Sequence, residues 1–192
     1  EFNKNIEFLM TSAITTHKED SEANWKARHE TRTGGDGITE FPKQDDKFSF
    51  MSSWSGVQVN ENFVSITITI SAFSGGAHGY ESKSSFNYDV ANKKDIFLSE
   101  LFPNDSNYLK TISDYSRRDI EAQFRENLNI KTKEEEANLK DSIIPMMMEG
   151  TSPDETNFST FTFTPDSVRI YFGQYQVAPY SMGTFTINIP RK

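Results

Sequence analysis

Between Phe63 and Asp89 the chain reads FVSITITISAFSGGAHGYESKSSFNYD. Val64, Ile66, Ile68 and Ile70 alternate there with Ser65, Thr67, Thr69 and Ser71. That period of two belongs to a strand with one dry face and one face of small hydroxyl side chains. Wound into a helix, the same residues would scatter around the cylinder and bury nothing coherent. The run Gly75-Gly76-Ala77-His78-Gly79 then turns the chain, and residues 79–89 return as a second strand with Phe86 and Tyr88 on one face. A short turn makes the pair antiparallel, so the rest of the chain must pack against an antiparallel sheet.

Before this hairpin, residues 3–32 read as a helix. Ile6, Leu9, Met10, Ala13, Ile14 and His17 follow the spacing of one buried stripe, and Trp25 and Arg28 continue it. Gly34-Gly35-Asp36-Gly37 ends the helix, and Phe41-Pro42 anchors the polar segment that follows. Lys47–Asn60 reads as a strand, with Phe48, Phe50, Ser52 and Trp54 on one face and a bend at Ser55-Gly56. Asn60-Glu61-Asn62 makes a turn.

Beyond the hairpin, Ile96–Phe102 is a short apolar piece closed by Pro103. Asn104 or Asp105 opens a second helix running to about Leu128, with Leu109, Ile112, Ile120, Phe124 and Leu128 inward. Thr132 with Glu135 is a capping box for a third helix, from Lys133 to about Ile144, which Pro145 ends. Met146, Met147 and Met148 cannot all face one way, so some fill the core while one is exposed. The last third alternates again. Phe161 and Phe163 precede a turn at Thr164-Pro165-Asp166-Ser167, Val168–Phe172 returns, and Phe185, Ile187 and Ile189 share a face of the final strand.

Helix, strands, helices, strands is the order of an α+β fold, with an antiparallel sheet packed against two or three helices. The expected division is a small N-terminal subdomain, residues 1–60, and an α+β domain over 61–192 carrying the glycine loop, the two forming one compact unit. At 192 residues the chain can bury a core without staples. Its 16 Phe and 7 Tyr supply wide contact area, which sets it apart from disordered chains.

Charge and composition then remove whole classes of function. A net charge of −8 repels phosphate backbones, and the basic clusters Lys93-Lys94 and Arg117-Arg118 are too short to reverse that, so nucleic acid is not an expected partner. With no cysteine there is no disulfide, thiolate metal site or thiol nucleophile. The histidines are His17, His29 and His78, and none stands at ligand spacing from another His or an acid, so neither a metal nor a cofactor is expected. Gly-x-Ser-x-Gly is absent, no catalytic constellation is legible, and the chain reads as a non-enzyme. The chain opens at Glu1-Phe2 without Met, a signal sequence or an apolar run long enough to span a bilayer. A trimmed chain is therefore expected, with any export signal or membrane anchor lying beyond it.

Two loops carry the candidate binding residues. In the first, Gly75 and Gly76 let a partner approach the backbone, and His78 is a ligand-facing imidazole. The structural alternative has both glycines at positive φ and His78 locking the loop against carbonyls of the sheet; that lock is the favoured reading of His78. In the second, Tyr175 and Tyr180 flank Pro179 on a loop between the last two strands. Such rings offer wide contact to sugars or proteins at low entropic cost, or else plug the edge of the sheet.

Three stretches together resemble a known family. They are VSITITISAFSGGAHGYES, FNYDVANKKDIFLSELF and FTFTPDSVRIYFGQYQVAPYSMGTFTINIP, in that order, spanning roughly residues 60–190. The pattern is similar to that of the PdaC/RsiV-like domains of bacterial exported proteins. Phe73 stands where that family often has Tyr, and Asn92-Lys93 where it often has Gly-Lys. The N-terminal helix and strand resemble the smaller domain that usually precedes the pattern.

The resemblance implies a site of action outside the cytoplasm, since such domains occur in lipoproteins, in the outer parts of anti-sigma factors and ahead of polysaccharide deacetylase domains. It implies no catalytic residues in the domain itself, because the neighbouring domain does the chemistry. One branch of the family works by recognising a muramidase-type protein. The expected function is thus a binding or sensing module at the cell envelope, for cell-wall glycan or a muramidase-type protein. The alternatives are an accessory domain of a deacetylase or other cell-wall enzyme, and a structural lipoprotein domain.

Overall fold

The structure is a computed structural model that describes residues 1–30 and 48–191, with the side chains of 28–30 excepted. The helix stop at Gly34–Gly37, the Phe41-Pro42 anchor and the His29 side chain lie outside the described residues. The α+β class expected from the sequence is what the chain adopts. Four strands form one sheet in the order β1 (Ser49–Val59), β2 (Phe63–Phe73), β3 (Tyr80–Asp89), β4 (Lys94–Asp95). Three more form a second antiparallel sheet in the order β5 (Phe161–Phe163), β6 (Ser167–Phe172), β7 (Phe185–Pro190). The strands are thus shared between two sheets rather than one.

The chain divides into two compact units, and the division does not fall at residue 60. One unit holds Glu1–Ser53 and Thr69–Ser82, the other Trp54–Ile68 and Lys83–Lys192. The reason is strand length. β1 and β2 have 11 residues each and β3 has 10, so each runs about 35 Å at ~3.3 Å per residue, too long to serve one core.

In the first unit, helix α1 (Phe2–Glu30) lays Ile6, Leu9, Met10, Ala13 and His17 along one half-buried line that ends at buried Ser21. Ile14 and Trp25 were expected on this line, yet they are 52% and 50% exposed. At about 100° per residue they stand roughly 80° and 100° away from Ile6, on the shoulder of the stripe. His17 meets Phe50 with ring centroids 5.4 Å apart. In β1, Phe48 and Phe50 are half-buried, but Trp54, expected beside them, is exposed, and the strand runs unbroken through Ser55-Gly56.

The second unit contains a continuous apolar core. Helix α2 (Tyr108–Leu128) contributes fully buried Ile112, Ile120 and Phe124, the last edge-on to Phe185 at 5.1 Å. β7 buries every second residue (Phe185, Ile187, Ile189), as its alternation requires. The capping box of α3 (Lys133–Asn138) forms as read from the sequence, with the Glu135 amide donating to Thr132 Oγ1 and the Thr132 amide to Glu135 Oε2. Pro145 does not end this helical stretch. A π turn over Leu139–Ile143 intervenes, and Pro145 is the second residue of α4 (Ile144–Gly150), in the first turn where a missing N–H is tolerated. Of the three methionines, Met147 is buried and Met148 exposed.

Both edges of the three-stranded sheet are closed by side chains instead of by further strands. On the β5 edge the Phe161 amide donates to Ser85 Oγ at 2.9 Å, and Asn87 Nδ2 donates to the Phe161 carbonyl at 2.8 Å. The Phe163 amide donates to Ser65 Oγ at 2.9 Å, and Ser65 Oγ in turn donates to Asn87 Oδ1 at 2.6 Å. On the β7 edge Tyr115 OH donates to the Asn188 carbonyl and Gln123 Nε2 to the Thr186 carbonyl. The hydroxyl face of β2 is therefore not a solvent face: Ser65 is fully buried and Thr67 nearly so. Ser65 replaces the strand that β5 would otherwise recruit.

Candidate functional site

The glycine loop lies in the first unit, between β2 and β3. Gly75 is buried with φ of 94°, a conformation that favours glycine. Gly76 is exposed, is not at positive φ, and a Cβ on it would meet only the His78 carbonyl at 3.9 Å. So only one of the two adjacent glycines takes positive φ. Gly79 is needed for another reason: a Cβ there would come within 3.0 Å of the Ala72 carbonyl oxygen. His78 is exposed, and its Nδ1 lies 2.8 Å from the carbonyl oxygen of Gly79, its own neighbour. That bond is local to the loop.

The tyrosine loop lies in the second unit, and here the structure does bring the two rings together. Tyr175 and Tyr180 stack at a tilt, with centroids 5.5 Å apart and planes at 35°. Tyr175 is 54% exposed and sits at φ of 64°, an uncommon conformation for a bulky residue. Tyr180 is half-buried, and Val177 and Ala178 between the two rings are sunk into the core, at 0% and 1% exposure.

Between them and Tyr175, Gln176 ties the loop down. Its Nε2 donates to the Asn157 carbonyl at 2.8 Å and the Gly150 carbonyl at 3.3 Å, while its Oε1 accepts the Gly173 amide at 3.1 Å. Gly150, at the end of α4, packs so closely that a Cβ would lie 1.9 Å from the Gln176 carbonyl oxygen. The loop is thus a tied-down platform on which exposed Tyr175 leans against half-buried Tyr180.

A third feature of the second unit was not read from the sequence. A cleft of about 370 Å³ is lined by Gln58, Phe63, Asp89, Lys94, Ile96, Glu100, Leu101, Phe163, Pro165 and Arg191. Its acids are occupied. Glu100 pairs with Lys94 and accepts the Phe97 amide at 2.9 Å. Asp89 accepts the amide and the side-chain Nδ2 of Asn92 at 2.9 and 2.8 Å. Hydrogen bonds from Lys94 hold the Glu100 carboxyl below its ordinary range, and those from Asn92 do the same for Asp89. Lys94 is raised by the same Glu100 contact. The lining comes from seven separate stretches of chain, each unremarkable alone, so no sequence motif announces it.

Comparison with known proteins shows what the chain is similar to. Residues 99–192 match the family described as "Protein of unknown function (DUF3298)". Over 128 residues, 67% of the chain, the sequence is 29% identical to the peptidoglycan-N-acetylmuramic acid deacetylase PdaC of Bacillus subtilis. The match spans only 24% of that enzyme, about a quarter of its length. The fold is similar to that of a DUF3298 family member from Bacteroides fragilis, with a TM-score of 0.60, 17% identity, and coverage of 99% of this chain and 66% of the other. The resemblance read from the strand, the glycine loop and the C-terminal strand pair therefore holds: residues 99–192 are similar to the DUF3298 family, and the chain is similar to part of PdaC.

Proposed function

We propose that this chain is a non-catalytic binding or sensing module of the cell envelope, acting outside the cytoplasm on cell-wall glycan or on a muramidase-type protein. The observation that carries this reading is the match to a quarter of a peptidoglycan deacetylase, which connects the domain with the cell wall. The geometry supports a binding role through the tyrosine platform, where exposed Tyr175 is packed beside Tyr180 on a loop tied down by Gln176 and Gly150. Tyrosine pairs of this kind suit the apolar faces of sugars and protein loops alike.

The cleft carboxylates favour binding over catalysis. A hydrolytic pair needs one carboxyl kept protonated near neutral pH. Asp89 and Glu100 are both driven the other way, toward the ionised form, by the hydrogen bonds they accept. The deacetylase match also favours a second reading, an accessory domain that presents wall substrate to a neighbouring catalytic domain.

Titration of the chain with soluble peptidoglycan fragments and, separately, with lysozyme tests the proposal. One of the two binds, and Tyr175→Ala weakens it by about tenfold, the scale of one aromatic contact. Binding of neither would overturn the proposal. Release of acetate from the fragments by the chain alone would overturn its non-catalytic part.

A further inference from the structure

The cleft at the ends of β1 to β4 has a chemical character of its own. Its floor is apolar, built from Phe63, Ile96, Leu101, Phe163 and Pro165. Three of its four charged groups are already satisfied, Lys94 by Glu100, Glu100 by Lys94 and the Phe97 amide, and Asp89 by Asn92. Arg191 is the exception. Its Nη1 donates to the neutral carbonyl of Thr164 at 3.0 Å, and no carboxylate lies within ion-pair distance of it among the described residues. A guanidinium carries five N–H donors in a planar fork suited to a carboxylate. On the same lining, Gln58 Oε1 is sealed from solvent with no hydrogen-bond partner among the described residues. Such an acceptor is costly to leave unpaired and calls for an N–H or O–H from outside.

We infer that this cleft binds the C-terminal end of a short peptide. The free carboxylate goes to Arg191, a backbone N–H goes to Gln58 Oε1, and an apolar last side chain goes to the floor of Phe63, Leu101 and Phe163. The three requirements are those of a single terminal residue. A glycan hydroxyl satisfies Gln58 but leaves Arg191 and the apolar floor unmet. A simple anion satisfies Arg191 and leaves the other two. The volume of about 370 Å³ lies at the small end of the range for ligand pockets, which fits one or two residues and excludes a folded partner. The site is separate from the tyrosine platform in residues and in chemistry, so it stands whether or not Tyr175 contacts glycan.

The test uses acetyl-alanyl-phenylalanine as the free acid and as its C-terminal amide, each titrated against the whole chain by calorimetry. The acid binds at least about tenfold tighter than the amide, as loss of a charge-assisted hydrogen bond implies. Arg191→Gln abolishes that preference, and Arg191→Lys, which keeps the charge, retains part of it. Gln58→Leu weakens acid and amide alike. Tyr175→Ala leaves the preference intact, which keeps this test distinct from that of the proposed function. Equal binding of acid and amide would overturn the inference. So would no binding of either to the folded chain, or a preference that survives in Arg191→Gln with circular dichroism unchanged.

Discussion

The glycine loop and the tyrosine loop were the two places where the sequence pointed to contact with a partner, and they make different demands on the chain. The glycine loop sets demands on its own backbone, through Gly75 at positive φ and the approach of Gly79 to the Ala72 carbonyl. The tyrosine loop takes its shape from elsewhere. Gln176 reaches Asn157 and Gly150, Val177 and Ala178 sink into the core, and the glycine it depends on belongs to α4. A loop's conspicuousness in sequence thus reports local backbone demands. How firmly it presents side chains depends on distant residues that carry no local mark.

That contrast predicts a larger effect from a substitution outside the tyrosine loop than from any within the glycine loop. Gly150→Ala places a methyl 1.9 Å from the Gln176 carbonyl oxygen, closer than any contact a side chain makes. Backbone must move, and the expected loss is on the order of 3 kcal/mol, the upper range for overpacking a core. Urea unfolding followed by far-UV circular dichroism measures it. A loss below about 1 kcal/mol would mean the loop yields freely, and the contrast between the two loops would collapse.

Gln176→Ala comes next. It removes the partner of the Asn157 carbonyl at a part-buried position and of the exposed Gly173 amide, and costs about 1 kcal/mol. The finer consequence concerns the rings. Without Gln176 the Tyr175 side chain loses its fixed spacing from Tyr180, so ligand affinity falls even though Gln176 touches no ligand. If stability drops while affinity for the platform's ligand stays at the wild-type value, the platform is not pre-organised by this residue.

The same distinction explains what was legible in the sequence. The β2 alternation, the Thr132–Glu135 capping box and the Phe185–Ile189 face are local patterns, and each appears where it was read. The division of the strands into two sheets was not legible, because it depends on Ser65, Ser85 and Asn87 closing the β5 edge across more than 70 residues of chain. Nothing in a run of serines distinguishes an edge closed by side chains from a wetted face. Pro145 misled in the other direction. Proline usually stops a helix, but here it stands in the first turn of a new one, after the π turn. The cleft was hidden for the plainest reason, that Gln58 and Arg191 lie far apart in the sequence.

The smallest effect belongs to the glycine loop, whose substitutions separate its backbone from its histidine. Gly75→Ala forces a Cβ onto a residue at φ of 94° and costs about 1–2 kcal/mol, the strain of a left-handed conformation. His78→Ala removes an exposed ring, and the cost expected of a surface substitution is within about 0.5 kcal/mol. The order of these two decides what the loop is for. If Gly75→Ala is the more damaging to stability and His78→Ala is silent, the glycines hold the turn and the imidazole is available for contact. Should His78→Ala instead cost more than Gly75→Ala, the histidine is a structural lock, and the contact surface contracts to the tyrosine platform. Urea midpoints for the two variants, taken side by side, choose between these outcomes.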